Sequence, residues 1–268
     1  MPQSREPIQF SKGRSFRLLR WSRDICKVEE VLDAGQRLPM QGKGDRWHYH
    51  PQTELTLVQE GSGTRFIADH IEDFRPGDLV MIGSNVPHYW HVKGSSSGLA
   101  VQWHFPIDHG IWSFAETEGL HKLEIAAHHG LQIRNTTADE LRTVFEQLPR
   151  LDGLQRLASL LSMISILIKA PEENVRQLSK QPFSLSGTSE QQESVSRAMS
   201  YILAHYRDGV HLKELLDITG MSRATFARQF QIHSGKSFSN FLNQVRLQAV
   251  CRSLRETHEP ITNIALGY

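Results

Sequence analysis

Few stretches of this 268-residue chain offer as much chemistry as His48-Tyr-His50-Pro-Gln-Thr-Glu54, joined later by His88. Side chains alternate between faces along an extended segment, so His48 and His50 point to one side and Glu54 keeps their parity. With His88 from a later strand they make three imidazoles and a carboxylate. That donor set suits a divalent first-row metal with open positions: iron, manganese or zinc. The same side chains would serve as a hydrogen-bonded polar cluster that holds a sugar-like or other small molecule without metal. Trp47, Tyr49, Trp90 and Trp103 flank them. Aromatic faces beside a few directed polar groups suit a carbohydrate or an aromatic acid, and equally the core of a small barrel. The ligand-binding candidates are therefore Trp47, His48, His50, Glu54, His88 and Trp90, with His48, His50, Glu54 and His88 as the metal candidates. His70, His91, His104, His109, His121, His128 and His129 receive no role.

A second chemistry sits near the C-terminus, in Gly220-Met-Ser-Arg-Ala-Thr-Phe-Ala-Arg-Gln-Phe-Gln231. A glycine able to take positive φ ends one helical pattern, Ser222 can cap the next, and Phe226 and Phe230 lie one turn apart. If the phenylalanines face a core, Ala224, Arg228 and Gln231 face away from it, with Thr225 and Ala227 at the margins. A face of that kind can approach base edges in a major groove, where an arginine forks onto guanine and alanines meet thymine methyls. It also fits a solvated amphipathic helix in any helical domain. The DNA-contact candidates are Ser222, Arg223, Ala224, Thr225, Arg228 and Gln231.

Between residues 25 and 106, short apolar runs alternate with turn signals. The runs are 27–32, 54–59, 64–68, 78–82, 88–92 and 99–105, with Gly61-Ser-Gly63, Pro76-Gly77 and the 94–98 stretch among the breaks, which predicts a small all-β barrel or sandwich. Residues 1 to about 20, mixed and basic, suit an arm over that domain, a disordered start or an edge strand. Helical periodicity returns at 137–148, with a threonine cap, and at 154–169, where Leu157, Leu160, Leu161, Ile164, Leu167 and Ile168 form a nearly continuous apolar stripe. That stripe must be covered, either by the barrel and the preceding helix or as a seam between two subunits. Residues 172–190 contain few core formers and read as a mobile linker. The expected organisation is α+β: a sensing barrel over 1–136, helices with a dimer seam over 137–170, a linker over 171–190 and a helix-turn-helix domain over 191–268.

Lys and Arg number 30 against 29 Asp and Glu, a net charge of +1, so no global field announces a polyanionic partner and any DNA contact must come from local clustering. The two cysteines, Cys26 and Cys251, fall in different predicted domains without pair or metal spacing, as in reduced cytoplasmic proteins. No apolar leader or membrane-length run is present in the sequence, which predicts a soluble cytoplasmic protein without a membrane partner.

The segment from about Ser194 onward resembles the DNA-binding domain of the AraC/XylS family of transcription regulators. The residues that carry the resemblance are Leu212 to Leu216, Gly220-Met-Ser-Arg, Phe226, Phe230, Gly235, Phe238, Phe241, Arg246, Ala249, Leu254 and Pro260-Ile-Thr-Asn-Ile-Ala. Upstream, Gly42, His48-Tyr-His50, Glu54 and Gly61, then Pro76-Gly-Asp78 and Val86-Pro-His88, resemble the two motifs of the cupin barrel, the usual sensor of that family. Val92 stands where the second motif expects asparagine. The resemblance implies two helix-turn-helix units joined by a long helix, a homodimer and a small-molecule effector. In metallo-cupin enzymes the four-residue set is the metal centre, whereas many regulatory cupins bind small molecules without metal. In the family the isoleucine-alanine helix opens a second reader of roughly thirty more residues, and this sequence ends at Tyr268. The expectation is a shortened or variant reader, with a last turn that frays or buries itself elsewhere.

Three functions follow as expectations. The leading one is a ligand-responsive, non-enzymatic regulator whose barrel ligand changes DNA engagement. The second is a metal-dependent cupin isomerase or dioxygenase, although no general base or second motif names its reaction. The third is a remnant that dimerises and binds ligand without binding DNA.

Overall fold

The computed structural model describes residues 10, 14–33, 36–183 and 189–267. Among the described residues, nine strands form one antiparallel sheet that makes the N-terminal barrel, and an α-helical domain follows, as the α+β expectation has it. The strands are β1 (Phe16–Arg23), β2 (Lys27–Asp33), β3 (Gln36–Gln41), β4 (Thr53–Ile67), β5 (His70–Phe74), β6 (Leu79–Ile82), β7 (His88–Trp103), β8 (Leu131–Ile133) and β9 (Val175–Gln177). Their order is β3-β2-β1-β7-β4-β6-β8-β9, with β5 paired to β4.

Two strands organise the barrel. β4 and β7 pair along nearly their whole lengths, from Thr53↔Trp103 to Ile67↔His88, with register shifts near Glu60. The glycine-rich stretches at 61–63 and 94–98, read from sequence as turns, lie inside these strands. They face one another across the pair, Glu60 opposite Ser97 and Ser62 opposite Lys93. The glycines permit close passage and bending: a Cβ on Gly63 would lie 2.0 Å from the His91 carbonyl oxygen.

Other differences have local causes. β1 pairs with both β2 and β7, so residues 16–23 form an interior strand of the sheet, while residues 1–9 and 11–13 of the expected arm lie outside the described residues. β3 is polar and mostly exposed, so it lacks the apolar signal of a strand. The first part of the predicted linker is built into the barrel: β9 extends the sheet from β8, and Leu178 and Phe183 are buried with backbone hydrogen bonds to Gly130 and His128. Residues 184–188 of that linker lie outside the described residues.

Helices α1 (Glu118–Ala127), α2 (Asn135–Gln147) and α3 (Gly153–Ile168) cover one side of the barrel, where Leu141, Phe145, Leu160 and Ile164 share a core with Leu55, Leu57 and Val101. α2 starts three residues earlier than a Thr137 cap would place it. Its N-cap is Arg134 without a side-chain cap bond, and Thr137, inside the first turn, accepts a hydrogen bond from Asn174 Nδ2 at 3.1 Å. The C-terminal domain comprises α4 (Ser189–His205), α5 (Leu212–Thr219), α6 (Arg223–Ser234), α7 (Phe238–Glu256) and α8 (Ile261–Leu266). In α8, Ile264 is buried while Ile261 and Leu266 are exposed.

The two domains are joined by a shared core. Trp47, Phe66, Ile71 and Tyr89 on the barrel's outer face cluster with Val195, Met199, Ile202, Phe230 and Phe241. A polar rim adds Arg252 to Asp73 at 3.3 Å and Lys93 to Glu256 at 3.1 Å, together with Arg255 to Asp73.

Candidate functional site

Inside the barrel, one donor atom from each of His48, His50 and His88 lies within 4.8 Å of the others, all three residues buried. His48 and His88 exchange backbone hydrogen bonds, His48 N to His88 O at 3.1 Å and His88 N to His48 O at 2.9 Å, which brings their rings to 4.1 Å between centroids. Each imidazole is fixed by the same device. Nδ1–H donates to a backbone carbonyl two residues away: His48 to Arg46 at 2.9 Å, His50 to Gln52 at 3.0 Å and His88 to Val86 at 2.8 Å. A carbonyl only accepts, so each Nδ1 carries a proton and each Nε2 is turned toward the interior. His88 Nε2 is buried without a partner among the described residues.

Glu54 stands behind His50, with Oε2 3.2 Å from His50 Nε2. Two acceptors at that distance require a proton or a cation between them. Thr56 Oγ1 donates to Glu54, and the Gln102 amide donates to Glu54 while accepting from Arg17, which sets the amide's orientation.

The ionisation states follow from burial. Desolvation pushes His88 down to about 4, and desolvation followed by the neighbouring His88 and His50 pushes His48 well below its usual range. Burial alone would raise Glu54, but the His50 hydrogen bond, the charges of His88 and His50 and the Thr56 hydroxyl hold it well below the usual carboxylate range. His48 and His88, their pKa values depressed, are neutral beside the Glu54 carboxylate, His88 Nε2 is unpartnered among the described residues, and a divalent cation would replace the proton between His50 and Glu54, so these residues fit a metal. A cavity of about 60 Å³ adjoins them, lined by His48, Glu54, Thr56, Trp90, Gln102 and Arg17, with the 40–44 segment on one side. Trp90 Nε1 in its wall is buried without an acceptor among the described residues.

The helix-turn-helix is built as its residues dictate. Gly220 takes φ 67° as the C-cap of α5 and donates to Leu216 O at 2.9 Å; Ser222 Oγ caps α6 by accepting from Thr225 N at 3.2 Å. Phe226 and Phe230 are 1% and 0% exposed, their rings 5.3 Å apart, while Ala224, Ala227, Arg228 and Gln231 are exposed. Ser222 and Arg223 lie at the exposed start of the helix and Thr225 is half-buried at its margin. Hence α6 presents one arginine, one amide and small side chains on an apolar mount.

A helix-turn-helix domain family matches residues 215–268 and a cupin domain family matches residues 36–103. The HTH-type transcriptional activator RhaS of Escherichia fergusonii is 21% identical over 254 residues, 91% of this chain and 86% of that one. The chain thus carries a cupin domain followed by a helix-turn-helix domain. An uncharacterized HTH-type transcriptional regulator of Haemophilus influenzae is 36% identical over 80 residues, which cover 29% of this chain and 27% of that relative's length. Among solved structures, ToxT of Vibrio cholerae with bound unsaturated fatty acid covers 96% of this chain and 87% of its own at 10% identity, with a TM-score of 0.35, a likeness too loose to bear on the site.

In this chain the barrel brings His48, His50 and His88 together, with Glu54 against His50 and Trp90 in the cavity wall. Trp47 lies elsewhere. It follows strand parity to the side opposite His48 and packs edge-on to Phe241 of α7, centroids 6.4 Å apart. Arg17, Thr56 and Gln102 were missed as site residues. Gln102 had left a signal: a lone amide in the otherwise apolar run 99–103 is the polar residue that a strand buried on both faces does not need for packing. Arg17 left none, being one of several arginines in a basic stretch.

Proposed function

We propose that this protein is a cytoplasmic, non-enzymatic transcription regulator in which a small molecule held inside the cupin barrel changes how α6 engages a specific DNA sequence. The observation that carries the reading is the α6 geometry: Arg228, Gln231 and Ala224 stand in solvent on a helix whose phenylalanines are fully packed. Arg228 and Gln231 read base edges, Ala224 lies against the groove floor, and Ser222, Arg223 and Thr225 at the helix start meet phosphates.

The barrel ligand is small and polar. About 60 Å³ admits a few waters or a small polar group, so a sugar-sized effector requires the 40–44 segment to open. His48, His50, His88 and Glu54 would hold a divalent metal, which supplies a Lewis-acidic anchor for an oxygen-bearing ligand, and Trp90 Nε1 offers a further donor. The effect reaches α6 through strand parity. His48, His50 and His88 face inward, while their neighbours Trp47, Tyr49 and Tyr89 face the helical domain: Trp47 meets Phe241, Tyr49 donates to Gln192 of α4 and Tyr89 joins the same core. A shift of the inner side chains therefore moves the seat of the reader.

The working unit is a homodimer paired through α3. Leu154, Leu161 and Ile168 are 80%, 44% and 38% exposed at seven-residue spacing, the repeat of a helix seam.

Selection of duplexes from a random pool by the full chain tests the reading. One sequence should be enriched, and Arg228→Ala should bind it more weakly by about 1–3 kcal/mol, the worth of one bidentate base contact. Absence of any enriched sequence, or an unchanged affinity in the variant, would remove α6 as the reader.

A further inference from the structure

Between the barrel and α7 lies a cleft of about 630 Å³ that neither the barrel ligand nor the α6 face uses. Arg75, Arg134, Arg142, Arg176 and Arg255 line it, against three acids, Glu72, Asp73 and Asp78. The acids are already neutralised. Buried Arg65 holds Asp78 at 2.8 Å and Glu72 at 3.0 Å, Arg176 also pairs with Glu72, and Asp73 takes Arg252 and Arg255. Positive charge is left over. Arg75 has no ion pair among the described residues, Arg134 reaches only the Glu173 carbonyl at 3.4 Å, and Arg142 pairs only with exposed Asp139 at 2.9 Å on its own helix. The Nε–H groups of Arg142 and Arg176 are buried without an acceptor among the described residues.

The backbone adds to this field. α2 begins at the same wall, with neither a side-chain cap nor an acid in its first turn. Arg134 at the N-cap of α2 and Arg142 further along the helix both line this space, with Ala138 between them in its wall. The positive end of a helix and forked donors converge on one concave space.

We propose that this cleft binds a small anion carrying two or more negative charges, as phosphate or carboxylate groups, between α2 and α7. Guanidinium forks match either group. A duplex is too wide to enter a cleft of this volume, whereas a compact multivalent anion reaches both walls. Gln248 and Arg255 of α7 line the same cleft as Arg134 and Arg142, so an occupant ties the helical domain to the barrel at a place separate from the histidine cavity.

Calorimetric titration of the full chain with pyrophosphate, and separately with citrate, at constant ionic strength and against sodium chloride, tests the proposal. Saturable binding of at least one probe is expected, weakened tenfold or more in Arg142→Gln and further in Arg75→Gln/Arg142→Gln, with probe-free melting midpoints equal to wild type. Preference for one probe identifies phosphate or carboxylate as the natural group. No saturable heat with either probe would overturn the proposal, as would binding that is undiminished in both variants, which would place the anion on a metal in the barrel. Arginine variants that weaken DNA binding in probe-free buffer yet leave both titrations unchanged would assign these side chains to the DNA backbone and equally overturn it.

Discussion

The barrel interior and the exposed face of α6 hold their polar groups in opposite ways. His48, His50, His88 and Glu54 are buried, and each is fixed by a hydrogen bond, the imidazoles to carbonyls and the carboxylate to Thr56 and Gln102. Arg228 and Gln231 are exposed, and their position comes from apolar side chains underneath. In the sensor, chemistry and stability reside in the same atoms. In the reader they are separated, so the contacting face can change without disturbing the fold.

Substitutions can break that contrast. The largest effect is expected at the mount: Phe230→Ala removes a fully buried ring and should lower stability by about 3–5 kcal/mol in denaturant unfolding, with DNA binding lost as a consequence. Next is acid. His233 of α6 is buried, and desolvation pushes it down to about 4 from 6.5. The unfolded chain therefore binds the proton first; the stability is fully present above pH 6.5 and lost as pH falls toward 4, by up to about 3 kcal/mol. His233→Gln should flatten that part of the pH–stability curve, and an unchanged slope would place the acid sensitivity elsewhere. In the barrel, Thr56→Val keeps the shape but removes a donor to a buried carboxylate, at a cost of about 1.5–3 kcal/mol by the same unfolding measurement. The smallest effect sharpens the contrast. Arg228→Ala, expected to weaken DNA binding, should leave unfolding within about 0.5 kcal/mol of wild type.

The same contrast explains what could be read from the chain. The helix-turn-helix was legible almost residue by residue, because Gly220, Ser222, Phe226 and Phe230 act locally and within one helical turn. The histidine set was legible through strand parity. Parity also holds the reason that Trp47 belongs to the interdomain core, but sequence alone does not say what lies on the far side of a strand. Long-range pairing hid the rest. Gly61, Gly63 and the 94–98 stretch look like turns until β4 and β7 are laid side by side, and β9 is three residues that only β8 makes into a strand. Arg17 enters the site from a strand whose partner, β7, lies about eighty residues away.

Coupling between the two faces of the barrel strands is the claim on which the account turns. Its direct measurement is the affinity of wild type and Trp47→Ala for the selected duplex, each after chelator treatment and after loading with Mn²⁺. Manganese should change wild-type affinity by about 5- to 150-fold, the span of a coupling free energy of 1–3 kcal/mol, and the change should collapse in Trp47→Ala, which still loads metal but has lost its contact with Phe241. An equal change in both proteins, or none in wild type that has bound the metal, would contradict it.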